Sequence, residues 1–254
     1  MNTKNRIALV TGGSRGLGKN MAMALARKGF DVVITFNSNE GAAIEVADEI
    51  ESLGQKAVAL QLDTSDVASI KSFAKELSAR LQTLRGRANL DFLINNAGTA
   101  LYSPVEETTE EQVDAMFDIH FKGVFFLTQL LLPLINEKGG IVNISSGLTR
   151  LTMPGSSVYA SMKTAVETFT RYLAKELGPK KIRANVVAPG AIETDFGGGR
   201  TRDNKEINAR IAGITALGRV GLPDDIGGIV AFLCTDEAFW INGQRIEASG
   251  GQGL

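Results

Sequence analysis

The sequence predicts an α/β fold, a doubly wound parallel sheet with helices packed on both faces. Three observations predict it. Short apolar runs alternate with amphipathic helical segments along all 254 residues, the order that winds a parallel sheet. A glycine-rich turn joins the first apolar run to the first helical segment, a junction typical of such sheets. The hydrophobic content of 44% comes without a linker, repeat or low-complexity stretch, so residues 1–254 are expected to build one core and one domain.

Arg6-Ile7-Ala8-Leu9-Val10-Thr11 is apolar without helical periodicity and reads as a buried strand. Gly12, Ser14, Arg15, Gly16, Leu17 and Gly18 follow in a G-x-x-x-G-x-G turn. Leu17, Met21, Ala24, Leu25 and Lys28 then fall at helical spacing, and Gly29 closes the helix. Strand, glycine turn and helix form the layout of a dinucleotide site. Glycines admit the pyrophosphate to the backbone, and the helix N-terminus offers free N–H groups. A plain tight turn is the alternative for the glycines alone.

Asp31–Phe36 is a second strand. The residue that follows it in a dinucleotide fold meets the adenosine ribose. An acid there would repel a 2′-phosphate, but the chain has Asn37-Ser38-Asn39, with no acid until Glu40. Arg15, in the glycine turn, suits a phosphomonoester. NADP(H) is therefore expected in preference to NAD(H).

Residues 40–53 form an amphipathic helix, and Lys56–Leu62 a third strand that ends at Asp63. Asp63-Thr64-Ser65-Asp66 has N-cap chemistry for a helix running to about Leu84. Thr83 to Ala88 is basic and reads as a surface loop. Leu90–Ile94 is a fourth strand before Asn95-Asn96-Ala97-Gly98. Residues 109–136 read as one long helix or two, ended or kinked by Pro133. Ile141–Ser146 is the fifth strand, Arg183–Ala188 the sixth and Gln244–Ala248 the seventh, with a helix closing at Cys234.

Tyr159 and Lys163 stand four apart on a helix, with Ser146 thirteen residues upstream. Residues at i and i+4 share a face, so a phenol and an ammonium lie side by side. Lowering a phenol from about 10 to about 7 takes roughly 4 kcal/mol. A cation about 4 Å away supplies roughly that at an effective dielectric of about 20; desolvation of the phenolate opposes the shift, so a second positive charge, such as an oxidised nicotinamide ring, would help. The pair reads as a general acid/base for an alcohol or carbonyl.

Gly12-x-x-x-Gly16-x-Gly18, Asn95-Asn96-Ala97-Gly98, the Ser146–Tyr159–Lys163 set, and Pro189-Gly190 with Thr194 together resemble the short-chain dehydrogenase/reductase family. The resemblance covers essentially the whole chain, and 3-oxoacyl-(acyl carrier protein) reductase-like members are the nearest in kind. It implies a single-domain Rossmann-type fold with a seven-stranded parallel sheet. It implies that Ser146 bonds the substrate carbonyl oxygen, that Ser145 is structural, and that Lys163 both lowers the Tyr159 pKa and holds the nicotinamide ribose. Cofactor-binding residues are then Gly12, Ser14, Arg15, Gly16, Leu17, Gly18, Asn37, Ser38, Asp63, Thr64, Asn96, Ala97, Gly98, Tyr159, Lys163, Pro189, Gly190, Ile192 and Thr194. The Ile192 backbone and the Thr194 hydroxyl are expected on the nicotinamide carboxamide. Residues 195–216 correspond to a substrate lid, with Gly197-Gly198-Gly199 as hinge and a mildly basic rim.

One position departs from the family. Its fourth catalytic residue is usually Asn, whereas this chain has His120, its single histidine. Two readings stay open. His120 acts through its backbone carbonyl, as the Asn largely does, or its imidazole titrates near neutrality and takes part.

Composition excludes other classes. Net charge is −1, which gives no electrostatic reason to expect nucleic acid as partner. The lone Cys234 rules out an internal disulfide and a cysteine metal cluster, and fits a reducing cytoplasm. The N-terminus leads straight to the first strand without a signal peptide. No apolar run reaches about 20 residues, so no membrane span is expected. By resemblance, the apolar helix at 124–135 and its neighbour pack between subunits of a homotetramer. Three functions compete: an NADPH-dependent carbonyl reductase, with 3-oxoacyl thioesters among its candidate substrates; an NAD-linked dehydrogenase of a sugar, steroid or other secondary alcohol; and a non-catalytic cofactor-binding regulator. The intact Ser146, Tyr159 and Lys163 and the missing acid after the second strand favour the first.

Overall fold

The computed structural model describes residues 5–254; the expectation of no leader before the first strand rests on residues 1–4, outside the described residues. Seven strands form one parallel sheet: β1 (Ile7–Val10), β2 (Asp31–Phe36), β3 (Ala57–Gln61), β4 (Leu90–Asn95), β5 (Ile135–Ile144), β6 (Arg183–Pro189) and β7 (Arg245–Ala248). Their order is β3-β2-β1-β4-β5-β6-β7. The chain starts in the middle, winds out to β3 and returns past β1 to build the other half. The winding reverses between β1 and β4, and ligands of such sheets sit outside the strand carboxyl ends at that point. β1, β2, β4 and β6 are buried along their whole length, which is why they read as unbroken apolar runs.

One face of the sheet carries α1 (Gly16–Arg27), α2 (Glu40–Ser52) and α9 (Asp224–Leu233), packed through Met21, Leu25, Val46, Ile226 and Val230. The other carries α3 (Val67–Arg85), α5 (Gly123–Leu131) and α6 (Ser157–Leu177), packed through Ile70, Leu77, Leu127 and Leu173. The N-caps of α2 and α3 are Asn39 and Asp66, whose side chains accept from backbone amides of the first turn.

The structure corrects three expectations about elements. First, the stretch read as helix over 109–136 is α4 (Glu110–Phe117), a π-turn over Asp118–Lys122, α5 and a short 3₁₀ turn at Pro133; β5 already begins at Ile135. An 18-residue window within Glu110–Leu134 has a mean hydropathy of 1.3, as the core helices of many proteins do. Here α5 packs on α3 and α4 on α6. Second, β5 ends at Ile144, so Ser145 and Ser146 lie past the strand, in the loop. Third, Thr83 to Ala88 is not a free surface loop. α3 runs through Arg85, whose Nη2 donates to the buried Asp31 at 2.8 Å. Arg87 Nη2 donates to Asp91 at 2.7 Å, and Asp91 accepts from the Ile7 amide at 2.8 Å. Basic residues after the helix thus pair with carboxylates at the strand starts, far from the C-terminal ends where the cleft opens.

A buried polar line ties the sheet to α6. Asn95 Nδ2 donates to Asn143 Oδ1 at 2.7 Å, and Asn143 Nδ2 donates to Thr170 Oγ1 at 2.8 Å. All three residues are buried. A one-residue slip of α6 would take Thr170 away from Asn143 Nδ2 and leave that buried donor unpaired, at about 1–3 kcal/mol. The line therefore fixes the register of the helix that carries Tyr159 and Lys163.

Candidate active site

Loops at the strand carboxyl ends enclose a cleft of about 950 Å³. Every catalytic and cofactor-binding residue picked from the sequence lines it. At one end are Arg15, Asn37 and Ser38, all exposed, with Asp63 and Thr64 beside them. Asp63 accepts from the Ser65 amide and hydroxyl at 2.9 and 2.6 Å. No carboxylate occupies 37–39, and Asn39 is engaged as the cap of α2.

In the middle lies the glycine turn. α1 begins at Gly16 with no side-chain cap on its first turn, unlike α2 and α3, so amide donors at its N-terminus face the cleft. A Cβ on Gly18 would lie 2.0 Å from the Gly12 carbonyl oxygen, so only glycine lets turn and helix close this far. Thr11 Oγ1 accepts from the amides of Asn96 and Ala97, both at 2.9 Å, and Asn96 Nδ2 donates to the Thr11 carbonyl at 2.8 Å. These bonds fasten the loop after β4 to the loop after β1 and leave Ala97 and Gly98 along the floor. Uncapped amides, a helix dipole and Arg15 make a cradle that fits an elongated diphosphate with an extra phosphate at the Arg15 end. Across from it, Ile192 pairs with Gly221 through the flanking Ala191 carbonyl and Glu193 amide, which turns the Ile192 amide and carbonyl away from that bridge. Thr194 is buried, and its Oγ1 accepts from the Phe196 amide at 3.2 Å.

The other end holds the hydroxyl-bearing set. Tyr159 is 9% and Lys163 5% exposed. Lys163 Nζ donates to the Ile144 carbonyl at 2.8 Å and lies 5.6 Å from the Tyr159 ring centre. Burial pushes the ammonium down to about 8. Burial raises the Tyr159 phenol above its ordinary value, opposed by a hydrogen bond to Ser146. In the protein alone Lys163 faces the ring and a carbonyl, so desolvation wins. Ser146 Oγ also accepts from the Leu148 amide at 3.2 Å, so it caps its own turn while reaching the phenol. Ser145 is buried and donates to Glu167 at 2.7 Å, a structural contact. Glu167 also accepts from Thr149 Oγ1 and Arg245 Nε, both at 2.8 Å.

His120 is wholly buried inside the π-turn. Its Nε2 lies 2.8 Å from the Thr99 carbonyl oxygen, and its Nδ1 has no partner. Burial, reinforced by the Lys163 charge, pushes its pKa down to about 3. Burial thus weighs against the reading in which its imidazole titrates near neutrality and favours a neutral ring.

Several lining residues carried no signal in the sequence. Tyr102, Leu148, Met153, Phe196, Ile207 and Ile211 wall the space in front of Tyr159. They come from four separate loops and helices, and only the fold brings them together. Within the stretch read as a lid, Gly197, Gly198 and Gly199 all have left-handed φ (62°, 73° and 73°), and α7 (Arg200–Asp203) and α8 (Lys205–Gly213) follow.

Known proteins share this arrangement. The family described as enoyl-(acyl carrier protein) reductase matches residues 12–252. The hydroxynaphthalene reductase-like protein Arp2 of Metarhizium robertsii is 38% identical over 257 residues, covering 97% of this chain and 94% of the relative. The promiscuous reductase LugOII, which catalyses keto-reduction at C1 during lugdunomycin biosynthesis, superposes with a TM-score of 0.95 at 37% identity, over 100% of both chains. The angucycline C-6 ketoreductase LanV with bound NADP gives 0.95 at 34% identity, over 100% of this chain and 97% of LanV. The chain belongs to the short-chain dehydrogenase/reductase family of NAD(P)-dependent oxidoreductases.

Proposed function

We propose that the protein is an NADPH-dependent ketoreductase. The observation that carries this reading is the convergence, at one end of a single cleft, of the Tyr159 phenol, the Ser146 hydroxyl and the Lys163 ammonium, with an uncapped helix N-terminus and Arg15 at the other end. Bound there, the cofactor would supply a hydride for the carbonyl carbon. Arg15, Asn37 and Ser38 would hold its 2′-phosphate, the Gly12–Gly18 turn its diphosphate, and Asn96, Ala97, Gly98, Ile192 and Thr194 its nicotinamide half. Asp63 and Thr64 flank the adenine end, and Pro189-Gly190 shape the turn beneath the nicotinamide. The bound NADP in the similar LanV supports the choice of cofactor.

Ser146 donates a hydrogen bond to the carbonyl oxygen and holds it against the phenol. Tyr159 Oη would give its proton to the carbonyl oxygen as negative charge builds there, yielding the alcohol. Lys163 keeps its ammonium on the phenol side and on the ribose, so the tyrosinate left behind is countered by a cation in a dry site. His120 contributes its backbone to the relay of protons outward, while its neutral ring packs beside Tyr159.

The similar proteins named for hydroxynaphthalene reduction and angucycline C-6 keto-reduction support an aromatic ketone as substrate. The walls Tyr102, Phe196, Leu148 and Met153 suit a flat ring better than the acyl chain of a 3-oxoacyl thioester. Residues 195–216 serve as lid of a one-domain enzyme. The half-buried Val124, Phe125 and Phe126 on α5 and the exposed Tyr172 on its neighbour α6 support a homotetramer through these two helices, and the lone buried Cys234 supports a cytoplasmic setting. The test is a panel of aromatic ketones and 3-oxoacyl thioesters assayed with NADPH and with NADH. Consumption of NADPH with an aromatic ketone is expected. No ketone reduction, with turnover confined to oxidation of a secondary alcohol by NAD⁺, would support the dehydrogenase reading instead.

A further inference from the structure

We propose that Arg200 and Arg210 form an anion-binding subsite at the lid side of the cleft, so that the substrate is a flat aromatic ketone bearing an ionised oxygen substituent, carboxylate or phenolate. The inference rests on the ketoreductase reading above and adds to it the charge of the substrate.

Both arginines line the cleft. Neither has a carboxylate partner among the described residues, whereas Arg202, between them in sequence, is bound to both Asp195 and Asp203. That pairing has a consequence for the cleft. Asp195 is the one carboxylate lining its lid side, and Arg202 neutralises it. What remains facing a substrate there is two guanidinium groups with no countercharge.

The position of Arg200 is set by aromatic contacts. Its guanidinium lies 5.4 Å from the centre of the Tyr102 ring. Tyr102 in turn stands near enough to raise the Tyr159 phenol electrostatically, and Phe196 lies 5.9 Å from Tyr159, centre to centre. A flat ring whose carbonyl reaches Tyr159 thus runs between these aromatic walls toward Arg200. Arg210 approaches from α8, one turn from the apolar Ile207 and beside Ile211, which also line the cleft. Planar guanidinium groups beside an aromatic slot recognise a carboxylate or phenolate in the plane of a bound ring. Both arginines are exposed, so the effect is moderate and weakens with salt.

Two measurements test this. In the first, calorimetry in the presence of NADP compares 2-naphthoate with its methyl ester, for the wild type and for the double variant Arg200→Gln/Arg210→Gln. The wild type should bind the naphthoate about tenfold more tightly than the ester, as two exposed charge-assisted contacts allow, and the double variant should show no preference. Equal or undetectable binding of the two probes by the wild type, or a preference that survives in the double variant, would overturn the subsite. In the second, a carboxy-substituted tetralone and its methyl ester are compared as substrates with NADPH, and the acid should have the higher kcat/KM in the wild type only. Failure to reduce either ketone, with the naphthoate preference intact, would count against the ketoreductase reading and leave the anion subsite standing.

Discussion

The His120 imidazole stands edge-on to the Tyr159 ring, with centres 5.1 Å apart and planes at 87°. This contact makes a buried histidine a packing partner of the proposed proton donor. Burial holds the ring well below its ordinary value, at about 3, which favours the neutral form near neutrality. His120→Asn should therefore retain turnover within about tenfold and leave the shape of the pH–rate profile unchanged. A wild-type limb near pH 6.5 that disappears in the variant would contradict this. The same shift fixes a sign for stability. The folded value lies below the ordinary 6.5, so below about 6.5 the unfolded chain binds the extra proton. The stability due to neutral His120 is full above about 6.5 and is lost as pH falls toward about 3. Urea melts across that window should show a shallower acid loss in His120→Asn.

Gly98 and His120 form a matched pair. A Cβ at 98 would sit 2.6 Å from His120 Cε1. Gly98→Ala should cost about 1–3 kcal/mol in the His120 background and much less with His120→Ala. A double-mutant cycle by urea denaturation should give a coupling of about 1 kcal/mol or more. Additive effects would show that the ring yields freely.

Glu167 sits one helical turn beyond Lys163 and gathers Ser145, Thr149 and Arg245. Arg245 Nη2 also reaches the Ser146 carbonyl at 3.4 Å. Glu167→Gln should destabilise the fold by about 1–3 kcal/mol, less than for a fully buried pair because Arg245 is partly exposed. It should also lower kcat through Ser146 while leaving NADPH affinity alone. An unchanged melt together with an unchanged kcat would refute the positioning role.

Lys163 at about 8 predicts that NADPH affinity weakens as pH rises through that value, when the ammonium on the ribose is lost. Fluorescence titration between about pH 7 and about pH 9 should show the decline, and Lys163→Met should bind weakly with no such dependence. A flat wild-type profile would contradict the assignment.

Much of this site was legible in the sequence because its signals are local. Gly12 to Gly18, Asn95 to Gly98 and Tyr159 to Lys163 each lie within one turn or helix, and their spacing alone implies shared direction. The missing acid at 37–39 is likewise a one-segment observation. The π-turn around His120 was not legible, since one backbone register shift leaves no mark in residue periodicity. Neither was the start of β5 at Ile135, because Asn136-Glu137-Lys138-Gly139-Gly140 that follow carry no apolar strand pattern. Arg85 and Arg87 looked like loop charges because their partners Asp31 and Asp91 sit on other strands. The substrate walls Tyr102, Phe196 and Ile207 share no spacing at all. How deeply the Tyr159 phenol is buried, which in the protein alone raises its pKa, is likewise something sequence spacing does not report.

The proton donor is the centre of the account, and Tyr159→Phe isolates it. The substitution keeps the ring, its contact with His120 and its packing against Phe196, and removes only the hydroxyl. Reduction of an accepted aromatic ketone by NADPH should fall by about 10²-fold or more, with the dissociation constant for NADPH within about twofold of wild type. A Tyr159→Phe enzyme that reduces the ketone at a near wild-type rate would contradict the mechanism.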